Sequence, residues 1–366
     1  MVSRRGLRHN ARMVPALKET LRRLAYASGA LGALHRLRDR NRLTVVMFHR
    51  VLSLRDPRWA GADPEYTISD TLFAEALEFL RRHYSVVSLD QVLDALEGVA
   101  LPRHPLLVTI DDGWADTAEY ALPALRTLGL PAAVFVAAGV IGRRDPFWEE
   151  RLYSAWRRGV ATVPALQAEW RGRGAEGEPP TLTDNSEPSL RKLVSALGRA
   201  PEATRDAVLA SFREPDPGPP HMLTADQLRL LARSEIAVGV HGHSHTPLTE
   251  TDAKAELKRA RAALEPILAN PDSRALRTLS FPHGRYDAGA VTAALACGFT
   301  LMFTSDPVRT PLSRGRRLRN RLIGRIDIPA AAIEAPDGRL DRARMATWLF
   351  RRPTRRLAPD PGAPEK

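Results

Sequence analysis

From Leu43 onward the chain alternates short continuous apolar runs with segments of helical periodicity, and this alternation constrains its fold more than any other feature. The runs are 43–48, 85–88, 106–110, 132–137, 236–240, 278–281, 300–304 and 322–328. Between them lie amphipathic stretches at 71–83, 116–128 and 252–269, the first preceded by Ser69 and Asp70 as candidate caps. Strands that are apolar throughout are buried on both faces, as strands are when helices cover a parallel sheet. Seven or eight such repeats predict an α/β fold, a distorted (β/α) barrel of mostly parallel strands, with its chemistry at their carboxyl ends.

Three stretches fall outside this alternation. Residues 1–43 carry eleven Lys or Arg against two acids, and Leu17, Leu21, Leu24, Leu31 and Leu34 recur at three-, four- and seven-residue spacing. This reads as a basic amphipathic helix, either a peripheral contact with an anionic membrane or a cap on the next domain. Residues 149–222 read as a helical insertion inside a domain spanning 44–350, and 351–366 as a basic, Pro-rich and disordered tail. No run of eighteen apolar residues is present, and the amino end lacks the apolar core of a secretory signal. The expected location is therefore cytoplasmic, with peripheral membrane contact as an option.

The single cysteine, Cys297, excludes a disulfide framework and a thiolate metal cluster, so any metal must be held by His and carboxylate. The net charge of +12 comes from a chain in which only five of 54 basic residues are Lys. Arg-richness is thus a chain-wide bias, and no Arg-rich segment is interleaved with aromatics in the manner of single-strand binding platforms, so no nucleic-acid partner is expected.

Four motifs fall at the ends of apolar runs. The strand ending at Ile110 leads into Asp111-Asp112-Gly113, two carboxylates that are costly to desolvate together unless a cation lies beside them. One can ligate a metal while its neighbour faces the bound water; the plain alternative is a helix cap. The strand ending at Val240 leads into His241-Gly242-His243-Ser244-His245. Two imidazoles and one carboxylate leave coordination positions open, the arrangement of a catalytic site. Ser280-Phe281-Pro282-His283-Gly284 follows a third strand, where main-chain N–H groups can face a developing oxyanion. His49 follows the first strand, where a lone His is ordinarily a packed structural residue.

Together, Thr109-Ile110-Asp111-Asp112-Gly113 with Trp114 and Asp116, His241 to His245 with Pro247 and Leu248, and Phe281-Pro282-His283-Gly284 resemble, in order, the motifs of the polysaccharide deacetylases. This is the NodB-homology domain, carbohydrate esterase family four. The resemblance runs from about Leu43 to Pro329. It implies Asp112, His241 and His245 as ligands of one divalent metal, zinc foremost with cobalt, nickel or manganese as alternatives, and Asp111 as general base. The segment Met47 to Val51 resembles the start of the subgroup that deacetylates poly-N-acetylglucosamine, which implies His49 as general acid, and His283 takes the place of the family's loop Tyr. His243 matches no ligand position and is a candidate for supporting the ligands from behind. The chain departs from the family at Ile110, where Phe is usual, and at His283.

The resemblance implies a metal-dependent deacetylase of an N-acetylated amino sugar in a polysaccharide or glycan precursor, with an N-acetylated glycan as partner. Two rivals are an O-acetyl esterase on the same scaffold and a non-catalytic carbohydrate-binding or membrane-docking protein.

Overall fold

A computed structural model describes residues 17–172, 178–212, 218–268 and 273–357. These residues form twelve strands: β1 (Arg42–Phe48), β2 (Arg50–Leu52), β3 (Thr67–Ser69), β4 (Ser85–Val86), β5 (Pro105–Ile110), β6 (Ala132–Val136), β7 (Ile236–Val240), β8 (Thr278–Ser280), β9 (Leu301–Phe303), β10 (Thr310–Pro311), β11 (Leu322–Ile323) and β12 (Ile326–Asp327). The order β12-β1-β5-β6-β7-β8-β9-β11 runs parallel throughout and curls into a nearly closed barrel. β10 adds antiparallel to the start of β1, and β4 adds parallel to the start of β5. The expected α/β barrel of mostly parallel strands is therefore the fold.

The strands alternate between two cores. Leu43, Val45, Leu107, Ala133, Phe135, Leu301, Phe303 and Ile323 fill the barrel interior. Val46, Phe48, Val108, Ile110, Val134 and Val136 point outward under the helices. The period of two that sorts these residues also decides which polar residues enter the barrel, because Thr109 and Asp111 share the inward parity of Leu107.

Helices start where the caps are. Ser69 accepts a hydrogen bond from the Leu72 N–H at 3.2 Å and opens the helix Asp70–His83. Reciprocal Ser88/Gln91 and Thr224/Gln227 capping boxes open the helices Leu89–Leu96 and Ala225–Arg233. The 116–128 segment departs from a plain helix: it begins as one wide π-turn, Thr117–Ala121, before the α-helix Leu122–Leu128.

Four further readings are refined. The run 322–328 is two short strands, because Gly324 bends the chain between them; an added Cβ there would sit 2.4 Å from Val308 Cγ2 and 2.7 Å from the Asp306 carbonyl. The leucine-rich stretch is not one helix: 17–27 and Ala30–Arg38 are separated at Gly29, whose φ of 77° suits glycine. Residues 1–16, and 358–366 of the tail, lie outside the described residues. The disorder expected from Arg351 does not hold for the start of that tail, where Thr354 bridges Arg309 and the Arg355 N–H donates to the Arg309 carbonyl at 3.0 Å. Between β6 and β7 the helices Trp148–Arg157, Val163–Gly172, Glu187–Leu197 and Glu202–Leu209 gather around a core of their own built on Leu152, Leu166, Trp170, Leu190 and Leu193.

Gly324→Ala should therefore lower stability by about 1–3 kcal/mol, the range for forcing an extra methyl into packed surroundings. Urea unfolding would measure it, and an unchanged midpoint would show that the bend tolerates a Cβ.

Candidate active site

The strand ladders bring four of the sequence motifs to one rim. Phe48 pairs with Ile110 across β1 and β5, so His49 and Asp111 leave neighbouring strands side by side, and the Asp111 N–H donates to the Phe48 carbonyl at 3.0 Å. Val136 pairs with Val240, and the His241 N–H donates to the Val136 carbonyl at 2.9 Å, which sets the histidine motif beside the carboxylates.

Asp112 does not continue the strand. Its φ is 79°, a left-handed conformation that turns its carboxylate back over the barrel mouth. His245 and His283 are left-handed too, at 67° and 55°. Gly113 follows with φ 92°, and a Cβ on it would lie 2.9 Å from Val136 Cγ1, so this turn needs glycine on both counts.

Asp112 Oδ1 then lies 3.3 Å from Nε2 of both His241 and His245, and one ligand atom from each of the three residues falls within 4.8 Å of the others. The remaining lone pairs are committed: Trp114 Nε1 donates to Asp112 Oδ2 at 2.9 Å, and His241 Nδ1 lies 2.8 Å from the Ser280 carbonyl. A carbonyl can only accept, so His241 is protonated at Nδ1 and its Nε2 is free to coordinate, the arrangement typical of metal-binding imidazole. Two imidazoles and a carboxylate oxygen aimed at one point fit a divalent cation. His241 and His245 hold the Asp112 carboxyl well below the ordinary carboxylate range despite its burial, and Asp112 in turn pushes His245 up.

Asp111 is buried and bound to a cation, the condition that a pair of desolvated carboxylates requires. Arg325 grips it with two parallel bonds, Nη1 to Oδ1 at 2.7 Å and Nη2 to Oδ2 at 2.8 Å, while Ser280 Oγ donates to Oδ2 at 2.9 Å. Burial raises the Asp111 pKa, but Arg325, with His241 and His49 behind it, outweighs burial and the net shift is downward. Arg325 was not foreseen as a site residue: it is one of seven arginines between 309 and 325, and nothing in residue type separates it from the other six.

His49 faces the same rim, with Nδ1 3.9 Å from Asp327 Oδ1 and its ring edge-on to Tyr66 at 5.1 Å. His283 stacks beside His245 at 4.4 Å between ring centres. Desolvation of that packed face, together with His245, drives its pKa down to about 3 and keeps the ring neutral. His243 is not at the ligand cluster; its ring and carbonyl abut Gly139, and Gly139 N–H donates to that carbonyl at 2.8 Å. The segment leading into the insertion reaches the site through Phe147, whose ring lies 4.4 Å from His245 and 5.2 Å from Trp114.

Residues 98–302, more than half of the chain, match the polysaccharide deacetylase family. The chain belongs to that family, and with it to the deacetylases among the hydrolases. Among solved structures, the Streptococcus pyogenes deacetylase PplD in complex with acetate aligns with a TM-score of 0.50 at 16% identity, over 81% of this chain and 96% of its own. IcaB from Ammonifex degensii aligns with a TM-score of 0.50 at 21% identity, over 84% of this chain and 97% of its own. No curated protein matches at a significant level. The likenesses place the fold, and the family places the acetylated-polysaccharide chemistry.

Asp112→Ala should abolish stoichiometric zinc uptake, because the one oxygen donor is lost, whereas Asp111→Asn should retain it. Metal analysis after dialysis distinguishes them, and equal loss in both would refute the division of labour.

Proposed function

We propose that the chain is a metal-dependent de-N-acetylase of N-acetylated amino sugars in a polysaccharide or glycan precursor. The observation that carries this reading is the convergence on one rim of the Asp112–His241–His245 cluster, a separate carboxylate clamped by arginine, and a His on the neighbouring strand.

Asp112, His241 and His245 would hold one divalent cation, zinc or a first-row relative, whose Lewis acidity polarises an acetyl carbonyl and acidifies water. Asp111 is the general base. Its lowered pKa keeps it ionised at neutral pH, and the two bonds from Arg325 and one from Ser280 leave its carboxylate a single orientation in which to accept a proton from the attacking water. The departing nitrogen cannot leave as an amide anion, so a proton must reach it. His49 supplies that proton, and Asp327 steadies the imidazole from the β12 side. The main-chain N–H of His283, held in a left-handed turn beside His245, faces the developing oxyanion. A neutral His283 ring suits this role, since it adds no positive charge that would compete for Asp112.

The direct test is mass spectrometry of N-acetylated glucosamine oligomers before and after incubation with the zinc-loaded enzyme, alongside acetate assay. Loss of one acetyl mass per site supports the reading; acetate release from O-acetylated but not N-acetylated oligomers would replace it with the esterase.

Two variants probe the roles. His49→Gln should keep fold and metal yet lose about 10²–10⁴-fold in rate on amide substrates, and less on an aryl acetate whose phenolate departs unprotonated. Equal losses on both would remove His49 as the acid. Arg325→Met should act through pH. Asp111 is depressed chiefly by Arg325, so the acid limb of kcat/KM lies below the ordinary carboxylate pKa; without the guanidinium, burial is opposed only by His241 and His49 and the limb should move up by about 1–3 units. The stability contributed by the pair is present above the unfolded carboxylate pKa and is lost as pH falls through the folded one, so the variant should also lose its stability advantage at neutral pH. An unmoved limb would free Asp111 from the base role.

A further inference from the structure

The two amino-terminal helices are amphipathic in the wrong sense for a helix that only caps a barrel. Helix 17–27 docks through Tyr26, which packs on Phe79 at 6.5 Å, and through ion pairs of Glu19 with Arg344 at 3.7 Å and Arg23 with Asp341 at 3.6 Å. Leu17, Leu21 and Leu24 recur at i, i+4 and i+7 on the opposite side and are 57–60% exposed. The next helix, Ala30–Arg38, docks through buried His35, which stacks on Phe350 at 4.2 Å between centroids. Its outward side carries Leu34 and Leu37, the latter 76% exposed. Five of the eleven large apolar side chains exposed among the described residues thus fall between 17 and 37. Isolated exposed leucines need no explanation; a run of five on two consecutive helices does.

The surroundings are cationic. Lys18, Arg36 and Arg40 are exposed beside the leucines. A cavity of about 360 Å³ between helix 17–27, the helix Asp70–His83 and the helix Arg342–Phe350 is lined by Arg81, Arg82 and Arg342 with Tyr26, Phe79 and Glu78. None of these six cations has an acidic partner among the described residues.

The patch also lies away from the catalytic rim. His35 Nε2 is 3.2 Å from the His83 carbonyl, its ring is 5.0 Å from His104 just before β5, and Asp39 pairs with Arg309 just before β10 at the start of β1. These are the amino-terminal ends of the strands, whereas the site is at their carboxyl ends.

We propose that this face docks on an anionic phospholipid bilayer, with the leucines entering the headgroup–acyl boundary and the surrounding Lys and Arg facing lipid phosphates. No described helix is long and apolar enough to cross a membrane, so the contact is peripheral. Charge selects this occupant over a second copy of the chain: a symmetric contact would bring two unpaired basic rims together, while a phosphate-rich surface complements them. Docking at the amino ends of the strands leaves the opposite rim open to a glycan approaching from solvent.

The test is flotation of the full chain with vesicles of phosphatidylcholine alone and of phosphatidylcholine with phosphatidylglycerol, at low and high salt. The chain should float with the anionic vesicles and release as salt screens the contact beyond roughly 8–10 Å. Leu21→Ser with Leu24→Ser should weaken binding at least about 10-fold with an unchanged thermal midpoint, since both side chains are exposed. Arg81→Gln with Arg82→Gln should weaken it and flatten the salt dependence. Absence of flotation, equal flotation with neutral vesicles, or indifference to the leucine changes would overturn the proposal. So would a dimer in sedimentation that the leucine changes dissolve, which would assign the face to a second copy.

Discussion

The bidentate bond between Arg325 and Asp111 closes the barrel and arms the site at once. No ladder joins β11 to β12 among the described residues; the chain bends between them at Gly324, and the next residue is Arg325. Its guanidinium spans the gap, donating to the Thr304 carbonyl at 3.1 Å, to Thr109 Oγ1 at 3.3 Å and to both oxygens of Asp111. Thr109 in turn donates to the Val46 carbonyl at 2.8 Å, so the network reaches the backbone of β1. Two charges buried to 1% and 2% exposure are tolerable only because nearly every polar atom is bonded, and removing either partner would strand the other in the interior. The seam and the orientation of Asp111 therefore stand or fall together.

A second buried cation performs the same service on the other side of the carboxylate pair. Arg50, at the start of β2, pairs with Asp116 at 3.1 Å and with Glu150 of the insertion, and lies 4.3 Å over the ring of Trp114. Trp114 in turn donates to Asp112. The helical insertion, which contributes none of Asp112, His241 and His245, is thus tied to the orientation of Asp112 through Glu150, Arg50 and Trp114. The left-handed backbone at Asp112, His245 and His283 costs of order 1–3 kcal/mol each in an ordinary loop. Here it is over-determined by these surrounding bonds, which is how a site stays organised before any ligand arrives.

Periodicity and caps made most of the fold legible. The strands at 42–48, 105–110, 132–136 and 236–240 emerge from continuous apolar runs, and Ser69 announces its helix; motif order along the chain was enough to bring Asp112, His241 and His245 together. What stayed hidden is what depends on geometry at one residue. A run such as 322–328 looks uniformly strand-like, since the clash a Cβ would meet at Gly324 comes from residues 306 and 308. Likewise Gly29 is inconspicuous within a leucine repeat, although it splits the helix in two and turns Leu31 toward the core. His243 shows the reverse failure: three histidines in five residues suggest three site groups, yet the turn sends the middle ring toward Gly139.

Arginine usage shows why composition could not be converted into function directly. Arg50, Arg309 and Arg325 are among the largest fully buried side chains, each against a carboxylate: Asp116 and Glu150, Asp39, and Asp111. The planar guanidinium fork suits two-point contact with a carboxylate, and its weak hydration lowers the cost of burial, so a chain with few lysines can keep cations in its interior. These buried arginines order the strand ends. The exposed Arg36, Arg40, Arg81, Arg82 and Arg342 have no carboxylate partner among the described residues. One residue type thus serves both the interior and the surface of this chain, and only the position of each carboxylate separates the two sets.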